Sequence, residues 1–339
     1  MSLTEKERLL KALAGEAVDR PPVICPGGMM TMACREVMHS TGCCWPHAHR
    51  DPVQMATLSA AMRDEAGIEN VGIPFCMTVE AEAWGGEVED GDEFTEPCMA
   101  NYPLKTVSDW RRLRPLDPKK DGRLPAIIEC TRMLRERLPD TAVIGNLVGP
   151  LSLASSLIDA MQLYKALIKE PDETHRFMEF IIENSVSYGK ELVKAGADVI
   201  VIADPSATGE ILGPRMFGKF AVPYLNRMTD SIHSMNVPVI IHICGDANPV
   251  FEQLKELTAE CISFDSAVNV KKAIDLLPGK RIMGNVSTIL LQKGPEERIR
   301  TVSKRLLDAG VNILAPACGI SSKTPVAHMR ALTETAKRL

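Results

Sequence analysis

Short apolar runs alternate with longer stretches of helical spacing along most of this chain. Eight runs stand out: PVIC (22–25), ENVGIP (69–74), AVIGNLVG (142–149), ADVIVIAD (197–204), PVIIHIC (238–244), CISFDS (261–266), RIMGNVS (281–287) and VNILAPAC (311–318). Several are almost continuously apolar, as parallel strands covered on both faces must be. The segments between them, among them LSLASSLIDAMQLYKALIKE, ETHRFMEFIIENSVSYGKELVKAGAD and EERIRTVSKRLLDAGVN, carry helical spacing and stop signals. Asp51-Pro52 is a good Ncap–N1 pair for the helix VQMATLSAAMRDEAG, and Thr4 with Glu7 has capping-box spacing ahead of RLLKALAG, which Gly15 can end.

Eight strand–helix alternations predict an α/β fold, a (β/α)8 TIM barrel, as one domain over residues 1–339 with an N-terminal helix. An open doubly wound sheet is the alternative, but no G-x-G-x-x-G follows the first run. Residues 81–120 break the rhythm with Gly, Pro and acidic residues; they are expected to be an excursion at the second strand–helix junction, on the active-site end of the barrel.

Charge narrows the function classes. The net charge is −5 and the basic residues are scattered, which argues against a nucleic-acid surface or a basic membrane patch. The N-terminus is charged and amphipathic rather than signal-like, and no uncharged run approaches the roughly 18 residues of a membrane span, so a cytoplasmic protein is expected. Ten cysteines at irregular spacing in a chain of 339 residues do not suit a disulfide framework. Seventeen methionines, several within GGMMTMACREVM, read either as adaptable core filling or as a pliable apolar rim for a large flat ligand or a partner.

The stretch IIHICGD (240–246) carries the candidate chemistry. Side chains alternate along a strand, so His242 and Cys244 share one side and Ile241 and Ile243 the other. On the fifth barrel strand both would lie near the C-terminal end, where barrel enzymes act, and Cys318 ends the eighth run at the same mouth. One imidazole and two thiolates suit Zn2+ and leave one position open. The ion, two thiolates and a neutral imidazole sum to zero charge, a centre better suited to holding a thiol as a nucleophilic thiolate than to acidifying water. A buried histidine beside an inert thiol is the plainer alternative. GCCWPHAH, with Cys43, Cys44, His47 and His49, is a second ligand-rich cluster, read instead as a loop covering the mouth with Trp45 packed inward.

RLLKALAGEAVDRPPV, EAGIENVGIPFCMTVEAEAWGGEV, KAGADVIVIADP, HICGD, IMGNVS and LAPACGI together resemble the uroporphyrinogen decarboxylase superfamily, in its branch of cobamide-dependent methyltransferases. The resemblance spans nearly the whole chain. It implies zinc held by His242, Cys244 and Cys318, a methylcobamide on a partner corrinoid protein as methyl donor, and a small thiol acceptor such as coenzyme M. It also implies an acidic zinc ligand after the sixth strand, for which Asp265 is the candidate; otherwise Asp265 would orient His242 from behind. Glu82, Asp204 and Asn285, at other strand ends, are candidates for orienting the thiol or taking its proton, or else rim residues bonded to the barrel. Two alternatives stay open: a uroporphyrinogen decarboxylase-like lyase, against which the segment after the first run, CPGGMMTMACREVM, holds Arg35 as its single arginine, and a non-catalytic zinc- or corrinoid-binding subunit.

Overall fold

The computed structural model describes residues 3–27 and 32–338. Nine strands are found among these: β1 (Asn70–Ile73), β2 (Glu87–Glu89), β3 (Cys98–Asn101), β4 (Ala142–Val148), β5 (Val199–Ala203), β6 (Val239–Ile243), β7 (Cys261–Phe264), β8 (Arg281–Val286) and β9 (Ile313–Pro316). Seven of them form one parallel sheet in the order β1-β4-β5-β6-β7-β8-β9. Residues 22–25 close the ring between its edges. Val23 bridges Leu314 in parallel, and Glu69 N donates to Val23 O at 2.9 Å. The fold is the expected α/β barrel, with helices between successive staves.

The first stave is less regular than the sequence reading expected, for a physical reason. Pro22 and Pro26 bring no N–H to a ladder. The Asn70 side chain substitutes: its Oδ1 accepts from Cys25 N at 2.9 Å and its Nδ2 donates to Cys25 O at 3.0 Å. Crossing is so close here that a Cβ on Gly72 would lie 1.6 Å from Pro26 O, so glycine is required.

Strand phase divides the core in two. Inward side chains, including Ile144, Val201, Ile240, Cys261, Met283 and Ile313, pack with Leu9, Ala12 and Leu13 of the helix Glu5–Ala14, which plugs the floor. Outward ones, including Ile241, Ile243, Ile262 and Phe264, pack under the surrounding helices. One step further toward the mouth, the inward positions turn polar while staying buried: Asn146, His242, Ser263 and Asn285. The barrel therefore has a dry floor and a polar ceiling.

Helix starts follow the sequence signals. Thr4 and Glu7 form the capping box, Gly15 closes that helix at φ 78°, and the Asp51 carboxylate accepts from Val53 N and Gln54 N at 2.8 and 2.9 Å. The 81–120 excursion is more ordered than a loop. β2 and β3 form an antiparallel hairpin, and beyond it Trp110 packs on Phe180 at 5.4 Å. Between the two strands the chain is latched: Glu93 Oε2 lies 3.0 Å from Arg35 Nε and 2.6 Å from His39 Nε2, while the Arg35 guanidinium sits 4.3 Å over the Phe94 ring. Among the described residues no helix is long and apolar enough to cross a membrane.

A buried ion network ties the floor helix to the seam. Glu69, 1% exposed, takes Arg8 at 3.1 Å, Arg20 at 2.9 Å and Val23 N at 3.0 Å. Glu69→Ala removes the acceptor shared by Arg8, Arg20 and Val23 N while leaving Arg8 paired with Asp19, and its expected cost is about 1–3 kcal/mol. The check is a lower midpoint of denaturant unfolding; an unchanged midpoint contradicts the assignment.

Candidate metal centre

Three donors meet at the polar ceiling. Ile240 faces the floor cluster, so two steps on His242 faces the same interior, and it is fully buried. Cys244 follows one residue beyond β6, and Gly245 at φ 70° turns the chain immediately after it. Cys318 lies two residues past β9, beside Ala317, whose N–H still donates to Val286 O at 2.8 Å. Ligand atoms of His242, Cys244 and Cys318 all lie within 4.8 Å of one another, and the two sulfurs are 3.6 Å apart.

The orientation of the imidazole is fixed from the neighbouring strand. β6 and β7 pair with His242 opposite Ser263, and Ser263 Oγ lies 3.0 Å from His242 Nδ1. That leaves Nε2 for the sulfurs. Nε2 is buried and makes no conventional hydrogen bond. It is therefore free to act as a donor, beside the two sulfurs, to a soft or borderline cation. The set of one nitrogen and two sulfurs fits a tetrahedral ion with one position left for a ligand. Between the thiols, hydrogen bonding to Cys318 and burial push Cys244 up, whereas the bond from Cys244 holds Cys318 below the usual thiol range.

Asp265 adjoins this group. It is the next inward position after Cys261 and Ser263, and its Oδ2 lies 3.5 Å from Cys244 Sγ. It does not join the three mutually close donors, and it is not the group that orients His242; that role falls to Ser263. The sequence signal for Ser263 was available in the alternation of Cys261, Ser263 and Asp265.

The other candidates are placed differently. Asn285 Nδ2 donates to Asp265 O and Val268 O, both at 2.8 Å, and so holds the turn that carries Asp265. Asp204 is fully buried and caps the helix Pro150–Leu157, accepting from Leu151 N at 3.1 Å, Ser152 N at 2.8 Å and Ser152 Oγ at 2.7 Å; burial nevertheless raises its pKa to about 6. Glu82 pairs with Arg123 and, at 2.9 Å, with Arg50. Arg123 also holds Thr78 Oγ1 at 2.7 Å and His49 O at 3.2 Å, so Glu82 belongs to a brace between the mouth loops.

The GCCWPHAH cluster is not a ligand set. Cys43 and Cys44 Sγ face the carbonyls of Thr41 and Met38, while Trp45 is buried against His49 at 4.7 Å and Phe75 at 6.5 Å. Burial, then the Arg123 charge, lowers the His49 pKa to about 3. In the methionine-rich segment Met32 and Met38 are fully buried, as core filling requires; Met29 and Met30 lie outside the described residues. His328 is half-buried, with Nδ1 2.7 Å from Leu291 O.

Sequence reasoning chose Glu82 and passed over Glu80. Two residues apart on the short helix Val79–Ala83, they point to different sides, and Glu80 is the buried one. Its Oε1 accepts from Val148 N at 3.0 Å, and burial raises its pKa to about 7.

With this geometry in view, likeness to known proteins identifies the lineage. The family model described as "Uroporphyrinogen decarboxylase (URO-D)" matches residues 4–339, and this chain belongs to that family. It is 34% identical to the methylcobamide:CoM methyltransferase MtbA of Methanosarcina acetivorans, over 98% of each chain. Against the uroporphyrinogen decarboxylase of Geobacter sp. the identity is 26%, over 89% of this chain and 88% of that one. A solved "methyltransferase from Methanosarcina mazei" superposes with a TM-score of 0.94 at 32% identity, covering 99% of both chains.

The Glu80 carboxyl generates a pH signature. Its folded pKa of about 7 lies above the ordinary 4.5, so the folded state binds the extra proton between those values. Stability from this group is therefore greatest below pH 4.5 and declines as pH rises through 7. Glu80→Gln keeps the acceptor for Val148 N and removes the charge. It is expected to flatten that slope and to exceed the wild type at pH 8 by on the order of 3 kcal/mol. Parallel pH–stability curves for the two proteins count against it.

Proposed function

We propose that this protein transfers a methyl group from a methylated corrinoid, carried on a separate corrinoid protein, to coenzyme M. His242, Cys244 and Cys318 hold a zinc ion that serves the acceptor thiol. Convergence of these three donors around an unpaired buried imidazole nitrogen carries the reading. Similarity over essentially the full chain to proteins named as methylcobamide:CoM methyltransferases supports it.

Zinc, when bound, supplies Lewis acidity that lowers the pKa of an acceptor thiol and keeps its sulfur electron-rich. The protein's own groups do the rest. Ser263 fixes the imidazole so that Nε2 faces the sulfurs. The Cys244 and Cys318 thiolates offset the charge of the ion, which favours a sulfur nucleophile over hydroxide. Asp265 Oδ2 lies 3.5 Å from Cys244 Sγ, where it accepts from that thiol and orients the sulfur. Asn285 holds the Asp265 turn, while Glu82 and Asp204 brace the walls that orient the thiol. The inward apolar layer under His242 keeps water from below. The acceptor thiol releases its proton to solvent at the open mouth, and its sulfur bonds the methyl carbon as the Co–C bond breaks, with the electron pair staying on cobalt. Alignment of sulfur, carbon and cobalt is what the mouth must provide. Thiol ligands and a reduced thiol acceptor suit a reducing compartment, and this reading therefore puts the protein in the cytoplasm.

The decarboxylase activity of the family name is less well supported. A substrate with many carboxylates needs several arginine forks. Arg35, the single arginine in the segment CPGGMMTMACREVM (25–38) that follows the first stave, is already paired with Glu93.

The test is transfer from methylcobalamin to coenzyme M by the zinc-loaded protein, followed by the absorbance of the corrinoid. Absence of transfer refutes the reading. Metal analysis examines the ligands directly: His242→Ala and Cys318→Ser are expected to lose zinc and turnover together. Ser263→Ala is expected to keep the site but to bind zinc roughly 10- to 100-fold more weakly against a chelator. Wild-type zinc retention in both ligand variants would falsify the assignment.

A further inference from the structure

Outside the metal centre, a groove of about 550 Å³ starts at the rim of the same mouth. Ser266, next to Asp265, and Asn285 form its inner end. It then runs along the helices Thr288–Lys293 and Glu296–Asp308, with Leu290, Val302 and Leu306 as apolar lining. Ile289, another lining residue, is 70% exposed.

The charges of this groove are unbalanced. Lys293, Arg298 and Arg305 line it, all are exposed, and none forms an ion pair among the described residues. Other cations on the same helix are neutralised within the chain: Arg300 by Glu296 and Glu334, Lys304 by Asp308. Arg298 and Arg305 are two turns apart, on the order of 10 Å along the axis, with Val302 between them. A local cationic stripe over an apolar strip is thus displayed on a chain whose net charge is −5. Such a contrast steers an acidic partner to one place and one orientation.

We infer that the groove docks an acidic, apolar-faced segment of the protein that carries the methylated corrinoid. This rests on the methyltransferase reading. A protein-borne donor must sit over the mouth to reach the metal centre, and a protein large enough to carry a corrinoid overhangs the adjoining rim. The groove begins one residue from Asp265, so a segment seated there registers the donor against the site. A free corrinoid has no such segment and gains nothing from it.

The experiment compares two donors, methylcobalamin alone and a methylated methanogen corrinoid protein, on the wild type and on Arg298→Glu/Arg305→Glu. The double variant is expected to raise KM for the protein-borne donor by at least about tenfold, and to weaken its salt dependence, because steering charges act on encounter. Turnover of free methylcobalamin is expected to stay within about twofold. Lys304→Glu, on a cation already paired off the groove, is expected to change neither. An unchanged KM for the carrier, or equal losses with both donors, overturns the docking assignment. If the wild type uses neither donor, the methyltransferase reading fails, and equilibrium binding of the corrinoid protein then decides the groove. Binding by wild type that is lost in the double variant supports it; equal binding, or none by the wild type, overturns it.

Discussion

A single contact between adjacent strands sets the orientation of the imidazole at the centre of this barrel. Ser263 on β7 meets Nδ1 of His242 on β6 at 3.0 Å, because the parallel register puts the two residues side by side. An imidazole has two nitrogens, and anchoring one decides where the other points. Without that anchor the ring could turn, and the sulfurs of Cys244 and Cys318 would face no fixed partner. The geometry of the mouth therefore follows from strand register rather than from the loops around it.

The register is in turn protected by the floor. Inward positions below His242 are apolar and packed against Leu9, Ala12 and Leu13, so a slip by two residues would drive polar groups into that layer, and a slip by one would turn His242 and Ser263 out under the helices. The floor helix is held to the seam through Arg8 and Glu69. Dry packing beneath and polar side chains above are successive levels of one alternating pattern, in which each inward residue differs from the next mainly in height.

Much of this was legible in the sequence. The eight apolar runs mark the eight staves, and alternation within IIHICGD places His242 and Cys244 on the interior while Ile241 and Ile243 face the helices. The seam was less legible, since a side-chain substitute for a ladder, such as Asn70, has no periodic signature. The β2–β3 hairpin escaped because its strands of three and four residues are largely exposed and obey no burial alternation. Glu82 drew attention over Glu80 because sequence reports charge but not which side of a short helix is buried. Asp204 was recognisable as a strand-end carboxylate, yet only coordinates show its oxygens spent on the helix that starts at Pro150.

The closure of the ring by Glu69 and Asn70 has a mechanical implication. Seven staves are stitched by ladders of backbone bonds, whereas the eighth meets β1 through the side chains of Asn70 and Glu69 and one backbone bond. Local opening follows the path with fewest bonds to break. The cylinder is thus better pictured as a horseshoe fastened by a pin, and its breathing concentrates at residues 22–25 and 70 while the opposite wall, which bears His242 and Ser263, stays still.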